Sequence, residues 1–196
     1  MTEPQPAAPS ALAGVRYGRL IRHADARGSF RELWRASSFG RLDERETGLP
    51  DARFVQANLS TSAAGVLRGL HYHRRQLDYW TVVRGRALVA LVDVRPLLED
   101  RGPRALVETR ELGVDEWVVI PTGVAHGFLA LEPLELLYLV TNEYDGSDEL
   151  GFAWDDPEVA VPWPRLDLTP DGRPILSERD QRNPPLRDLV ERLREG

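Results

Sequence analysis

The chain has 196 residues, of which 42% are apolar and 29% charged, a balance that excludes collagen-like and disordered classes and supports one domain with a substantial core. It contains no cysteine, which removes disulfides, thiolate metal sites and cysteine nucleophiles, and all 25 basic residues are arginine, which removes lysine Schiff-base chemistry. Against 31 Asp and Glu they leave a net charge of -6, the wrong sign for a general nucleic-acid binder.

Residues 1–13, MTEPQPAAPSALA, have neither a basic start nor an unbroken apolar run, so they read as a flexible Pro/Ala tail ahead of a single domain over 14–196. No later run reaches the roughly 20 apolar residues of a membrane span, so a cytoplasmic protein without a membrane partner is expected. Short β-prone runs follow at Val15–Arg22, Ser29–Trp34, Phe54–Leu59, Tyr79–Val83, Ala87–Val94, Trp117–Ile120 and Leu134–Val140. Glycines 65, 69, 85, 113 and 123 stand near their ends, and the long alternating helices of a parallel α/β fold are missing. The class predicted is all-β, an antiparallel sandwich or barrel.

Helix is confined to the margins. One candidate covers Ser37–Glu46, and a firmer one follows Pro185, where Leu186, Leu189, Val190 and Leu193 recur at helical spacing. The five prolines between Trp154 and Pro174 mark an ordered loop, because Trp154, Val161 and Trp163 need burial.

Four histidines exist, His23, His71, His73 and His126, and His23 stands outside every motif. On a strand, His71 and His73 project from one face, which serves a shared interior site as readily as ordinary hydrogen bonding. Gly65, His71, His73, Asp78 and Gly85 follow the spacing of the first cupin motif, G-x5-H-x-H-x4-E-x6-G, with Asp for Glu, and Pro121, Gly123 and His126 match the P-x-G-x-x-H of the second. The chain therefore resembles the cupins, which implies an antiparallel jelly-roll barrel, here with a short C-terminal helix.

A closer resemblance runs over residues 14–190. Asp25-Ala26-Arg27-Gly28 with Phe30 and Glu32, Gln56-Ala57-Asn58, Gly65-Val66-Leu67-Arg68-Gly69-Leu70-His71, Ala125-His126-Gly127-Phe128-Leu129, Leu137-Tyr138, Glu143-Tyr144, Trp154-Asp155-Asp156-Pro157 and Leu176-Ser177-Glu178-Arg179-Asp180 occur in order. In these the chain resembles the dTDP-4-dehydrorhamnose 3,5-epimerase family. The resemblance implies a homodimeric cupin-fold isomerase of deoxysugar biosynthesis that needs no cofactor. Its substrate would be a dTDP-linked 4-keto-6-deoxyhexose, inverted at C3, C5 or both.

By the same resemblance His71 would be the base, oriented and activated by Asp180, and Tyr138 the acid on the opposite face. Tyr144 would stack near the nucleotide base. Arg27 and Arg68 would bind the diphosphate, and Phe30, Glu32, Gln56 and Asn58 would contact nucleotide or sugar. The chemistry agrees: a proton beside a ketone leaves as an enolate, which needs a base, an acid across from it and an electropositive group at the oxygen.

One departure stands out. The family resemblance leads one to expect a lysine seven residues before Gly85, its ammonium helping the enolate oxygen, and this chain holds Asp78 there. Two repairs are open. Either His126, Arg74 or Arg75 donates to the oxygen, or His71, His73, Asp78 and His126 bind one divalent metal as Lewis acid, in which case His71 is ligand and not base. A sugar-nucleotide-binding cupin without catalysis is the third reading.

Overall fold

The computed structural model describes residues 5–6, 8–36, 49, 52–144, 146–167, 169 and 171–195. Thirteen strands are found there: β1 (Gln5–Pro6), β2 (Arg16–Arg19), β3 (Arg22–Asp25), β4 (Gly28–Arg31), β5 (Gln56–Ser62), β6 (Leu67–Tyr72), β7 (Asp78–Arg84), β8 (Arg86–Asp93), β9 (Leu106–Gly113), β10 (Glu116–Ile120), β11 (Val124–Ala130), β12 (Leu134–Val140) and β13 (Leu150–Gly151). Helices are short: α1 (Arg95–Leu98), α2 (Glu178–Gln181) and α3 (Leu186–Glu195).

The strands form two antiparallel sheets, β1-β2-β10-β7-β12-β5 and β13-β6-β11-β8-β9, and a separate β3-β4 hairpin. Alternation along each strand decides what lies between the sheets. Trp80, Val82, Val118, Leu134 and Leu136 from the first sheet meet Val89, Leu91, Val124 and Phe128 from the second. On the outer face of the second sheet, Leu70, Tyr72, Ala90 and Val92 are covered by Phe152, Val159 and the Leu186, Leu189 and Val190 stripe of α3. Such side chains contribute about 1.5–3 kcal/mol each when fully buried. The buried Asp156 carboxylate accepts from the Leu186 N–H at 2.8 Å, satisfying one of the orphan donors of α3.

A close crossing shapes the interior. β6 and β11 shift register between His126 and Phe128, and a Cβ at Gly69 (φ +129°) would lie 2.6 Å from the Gly127 Cα. A Cβ at Gly127 would lie 2.7 Å from the Arg68 carbonyl oxygen, so both positions need glycine for the strands to approach.

The predicted class and the C-terminal helix agree with this architecture. Differences lie in detail. The run 15–22 is split into β2 and β3, and β6, β9 and β11 were not among the predicted runs. Packing also begins ahead of the expected boundary at residue 14: Leu12 is buried in the inter-sheet core, and the Ser10 hydroxyl donates to Glu108 at 2.8 Å. The helix expected over 37–46 lies outside the described residues. No helix among the described residues is long and apolar enough to cross a membrane.

Candidate active site

Leu70 and Tyr72 point out toward α3, so the residue between them, His71, points into the space between the sheets. Its Nε2 lies 2.8 Å from Asp180 Oδ1. A carboxylate only accepts, so Nε2 donates and Nδ1 keeps its lone pair. Asp180 is itself buried and held by its helix: Ser177 caps α2, its hydroxyl accepting from the Asp180 N–H at 3.1 Å. Burial pushes the Asp180 carboxyl up, but the His71 hydrogen bond and charge, the Ser177 hydroxyl and Arg179 outweigh it and hold the group below the ordinary carboxylate range.

The facing sheet supplies the other wall. In its register Tyr138 pairs with Trp80 on β7 and Asn58 on β5, and Val140 pairs with Asp78 and Gln56, so Gln56, Asn58, Tyr138, Asp78 and Trp80 share one face. Gln56 Nε2 donates to Asn58 Oδ1 at 2.9 Å, and Gln56 Oε1 accepts from the Tyr144 N–H at 3.0 Å, which sets the 71%-exposed Tyr144 ring at the rim. The half-buried Tyr138 phenol is shifted up by burial and by Asp78 and Glu149, with the Arg68 guanidinium opposing. Arg68 donates to the Ser62 hydroxyl at 3.1 Å and to the Thr61 carbonyl at 3.3 Å.

Deeper in, His73, Asp78 and His126 are all buried, with one potential ligand atom from each lying within 4.8 Å of the others. His126 Nε2 stands 3.6 Å from Asp78 Oδ2, its ring tilted 5.3 Å from that of His73 and edge-on to Trp80 at 5.1 Å. Burial drives the His126 imidazole down to about 4, with His73 and His71 adding to it and the Asp78 charge and Val124 carbonyl opposing. His126 Nδ1 faces the Val124 carbonyl at 3.2 Å. A neutral ring protonated there has no proton left for an enolate oxygen, which removes the donor role expected for His126.

Two further expectations change. Arg74 and Arg75 are exposed, their backbone N–H groups bonded to the Asp148 carboxylate and their side chains directed at the Arg192 carbonyl and Ser147, so neither supplies charge to the cavity. His71 is engaged with Asp180 and falls outside the three-residue cluster, so the four-residue metal set loses a member.

Arg27, Phe30 and Glu32 sit on or beside the β3-β4 hairpin, apart from these contacts. The Arg27 side chain is 90% exposed and pairs with Asp25, Phe30 is exposed, and Glu32 pairs with Arg35. Arg22 and Arg31 anchor the hairpin on the buried Asp115, each at 2.8 Å. His23, on the same hairpin, is exposed. Residues that motif reading did not single out are those that fix the others: Trp80 and Gln76, which donate to Asp78, and Asp148, whose carbonyl accepts from His73. Only the two-residue spacing of Gln76, Asp78 and Trp80 hinted at them.

The family model for dTDP-4-dehydrorhamnose 3,5-epimerase matches residues 9–188. The chain belongs to that family. A dTDP-4-dehydrorhamnose 3,5-epimerase of Methanothermobacter thermautotrophicus is 37% identical over 169 residues, 85% of this chain and 86% of that protein. A dTDP-4-dehydrorhamnose 3-epimerase of Streptomyces niveus is 33% identical over 188 residues, 88% of this chain and 80% of that protein. Among solved structures, the Mycobacterium tuberculosis epimerase superposes with a TM-score of 0.78 at 31% identity, covering 97% of this chain and 92% of its own. In this member of the epimerase family His71, bonded to Asp180, lies on the sheet opposite the one that carries Tyr138.

Proposed function

We propose that this chain epimerises a dTDP-linked 4-keto-6-deoxyhexose at C3, C5 or both, in deoxysugar biosynthesis. His71 Nδ1 removes the proton beside the ketone while Asp180 keeps Nε2 protonated and stabilises the imidazolium that forms. Tyr138 returns a proton from the facing sheet, which inverts the carbon because base and acid stand on opposite walls. Arg68 takes the diphosphate as a planar cation, Gln56 and Asn58 read the sugar or base, and Tyr144 stacks at the rim. These proton transfers need no cofactor of their own.

The observation that carries the reading is the 2.8 Å His71–Asp180 bond, set on the sheet that faces Tyr138. The exposed Arg27, Phe30 and Glu32 fit a homodimer in which the hairpin of one protomer is offered to the site of its partner. Residues 14–196 act as one unit in this reading, and a nucleotide-linked metabolite fits a cytoplasmic enzyme. The test is to incubate the protein in D2O with dTDP-4-keto-6-deoxyglucose and follow the sugar by NMR. Deuterium entering beside the ketone, with inverted sugar, is expected from the wild type and not from His71→Asn. No uptake by the wild type with this or another dTDP-4-keto sugar overturns the assignment.

A further inference from the structure

We propose that Asp78 selects substrates carrying a protonated primary amine, namely a dTDP-linked 4-keto-6-deoxysugar with an amino group at C3. The inference rests on the epimerase reading above and adds to it a substrate class. Asp78 is buried, only 3% exposed, on the wall that carries Tyr138. Trp80 pairs with Tyr138 and Asp78 with Val140, so the aspartate is the diagonal neighbour of the tyrosine on one face, within reach of a ligand that the phenol touches. A buried carboxylate is costly unless a positive charge accompanies it.

Its neighbours do not bring that charge. Among the described residues Asp78 takes its hydrogen bonds from two neutral donors, Gln76 Nε2 to Oδ1 at 2.8 Å and Trp80 Nε1 to Oδ2 at 3.0 Å. Its ion-pairing contact among them is with His126 Nε2 at 3.6 Å, too long for a hydrogen bond. The His126 ring is neutral at physiological pH because burial drives it down to about 4, and its Nδ1 faces the Val124 carbonyl at 3.2 Å, so Nε2 presents a lone pair. Carboxylate and imidazole therefore both offer acceptors at one spot, and neither offers a proton.

That set suits an ammonium better than a hydroxyl. An ammonium has three N–H donors and a positive charge, enough for Asp78 and His126 together, whereas a sugar hydroxyl has one donor and leaves an acceptor unpaired. A lysine at this register would repel an ammonium and the aspartate attracts it, so the reversal of sign at position 78 changes which sugar is admitted. In a 4-keto-6-deoxyhexose the ketone is flanked by C3 and C5. C5 already carries the methyl group and the ring oxygen, which leaves C3 as the flanking carbon able to bear the amine. His71 and Tyr138 keep their roles, and the inference adds no further group to the reaction.

The test compares amino and neutral sugars. Calorimetry measures the affinity for dTDP-3-amino-3,6-dideoxyglucose and for dTDP-6-deoxyglucose, and deuterium uptake is followed with the 4-keto form of each. The amino sugar should bind the wild type about 10- to 100-fold more tightly than the neutral one and should exchange faster at sub-saturating concentration. Asp78→Asn should bring the affinity ratio close to one, Asp78→Glu should keep a preference for the amine, and Asp78→Lys should reverse it. dTDP alone should bind the wild type and the variants alike, which separates a lost preference from a lost fold; if Asp78→Asn fails that control, Asp78→Lys decides by the same ratio. Equal affinity for the two sugars in the wild type, or a preference that survives removal of the Asp78 charge, overturns the inference, and uptake from the neutral keto sugar then leaves the epimerase reading standing. The expected preference, lost with the charge, together with no uptake from either keto sugar, supports the amine site and overturns the epimerase reading.

Discussion

Replacing Asp180 by Asn keeps the shape of the group behind His71 and removes its charge. The asparagine Oδ1 can still accept from Nε2, so the tautomer is retained, but the imidazolium formed during proton abstraction loses the carboxylate now 2.8 Å away. A hydrogen bond to a charged group contributes about 1.5–3 kcal/mol, and each ~1.4 kcal/mol is a factor of ten in rate. The structure therefore predicts deuterium uptake slowed by roughly 10- to 150-fold, with substrate binding nearly unchanged because Asp180 is buried behind the ring. The assay is the initial rate of solvent-deuterium incorporation, measured beside dTDP affinity by calorimetry. A folded Asp180→Asn protein working within twofold of the wild type would refute the dyad, and so would a loss confined to affinity.

Tyr138→Phe removes the acid without emptying its place, so inverted product should fall by about 100-fold or more in a coupled chromatographic assay, while thermal stability stays close to wild type. Gly69→Ala forces a methyl to within 2.6 Å of the Gly127 backbone at φ +129°, and a loss of about 3 kcal/mol or more is expected from urea denaturation. Because the carboxyl of Asp180 is held below its ordinary range in the fold, its ionised form stabilises the protein above an unfolded value of about 4. That contribution disappears as pH drops through the lowered folded value. The stability gap between wild type and Asp180→Asn should thus narrow as the pH falls below about 4, as melts across a pH series will show.

Much of the site was legible because its members lie in local patterns. His71 is fixed by alternation between Leu70 and Tyr72, and Tyr138 by the apolar run of β12, whose limits the sequence reading placed at 134–140 as observed. Asp180 was harder: a carboxylate three residues after Ser177 reads as a helix charge, and in the structure its N–H donates to the Ser177 cap while its carboxylate reaches a histidine 109 positions away. β11 was missed because all seven of its residues are buried, which erases alternation, and β9 because its charged residues disguise a strand paired along β8. Nor could spacing show that Arg74 and Arg75 turn outward onto Asp148 and its neighbours, or that Trp80 and Gln76 hold Asp78 in place. Those depend on side-chain partners brought by distant strands.

The proposed chemistry turns on one nitrogen, Nδ1 of His71. A crystal structure with a dTDP-linked 4-keto sugar, or an unreactive analogue, tests it most directly. That atom should stand about 3–3.5 Å from the carbon beside the ketone, with Asp180 still on Nε2 and the Tyr138 hydroxyl on the other side of the ring. A sugar bound with its ketone remote from His71, or a His71 ring turned so that Nδ1 meets Asp180 or a metal, would contradict it.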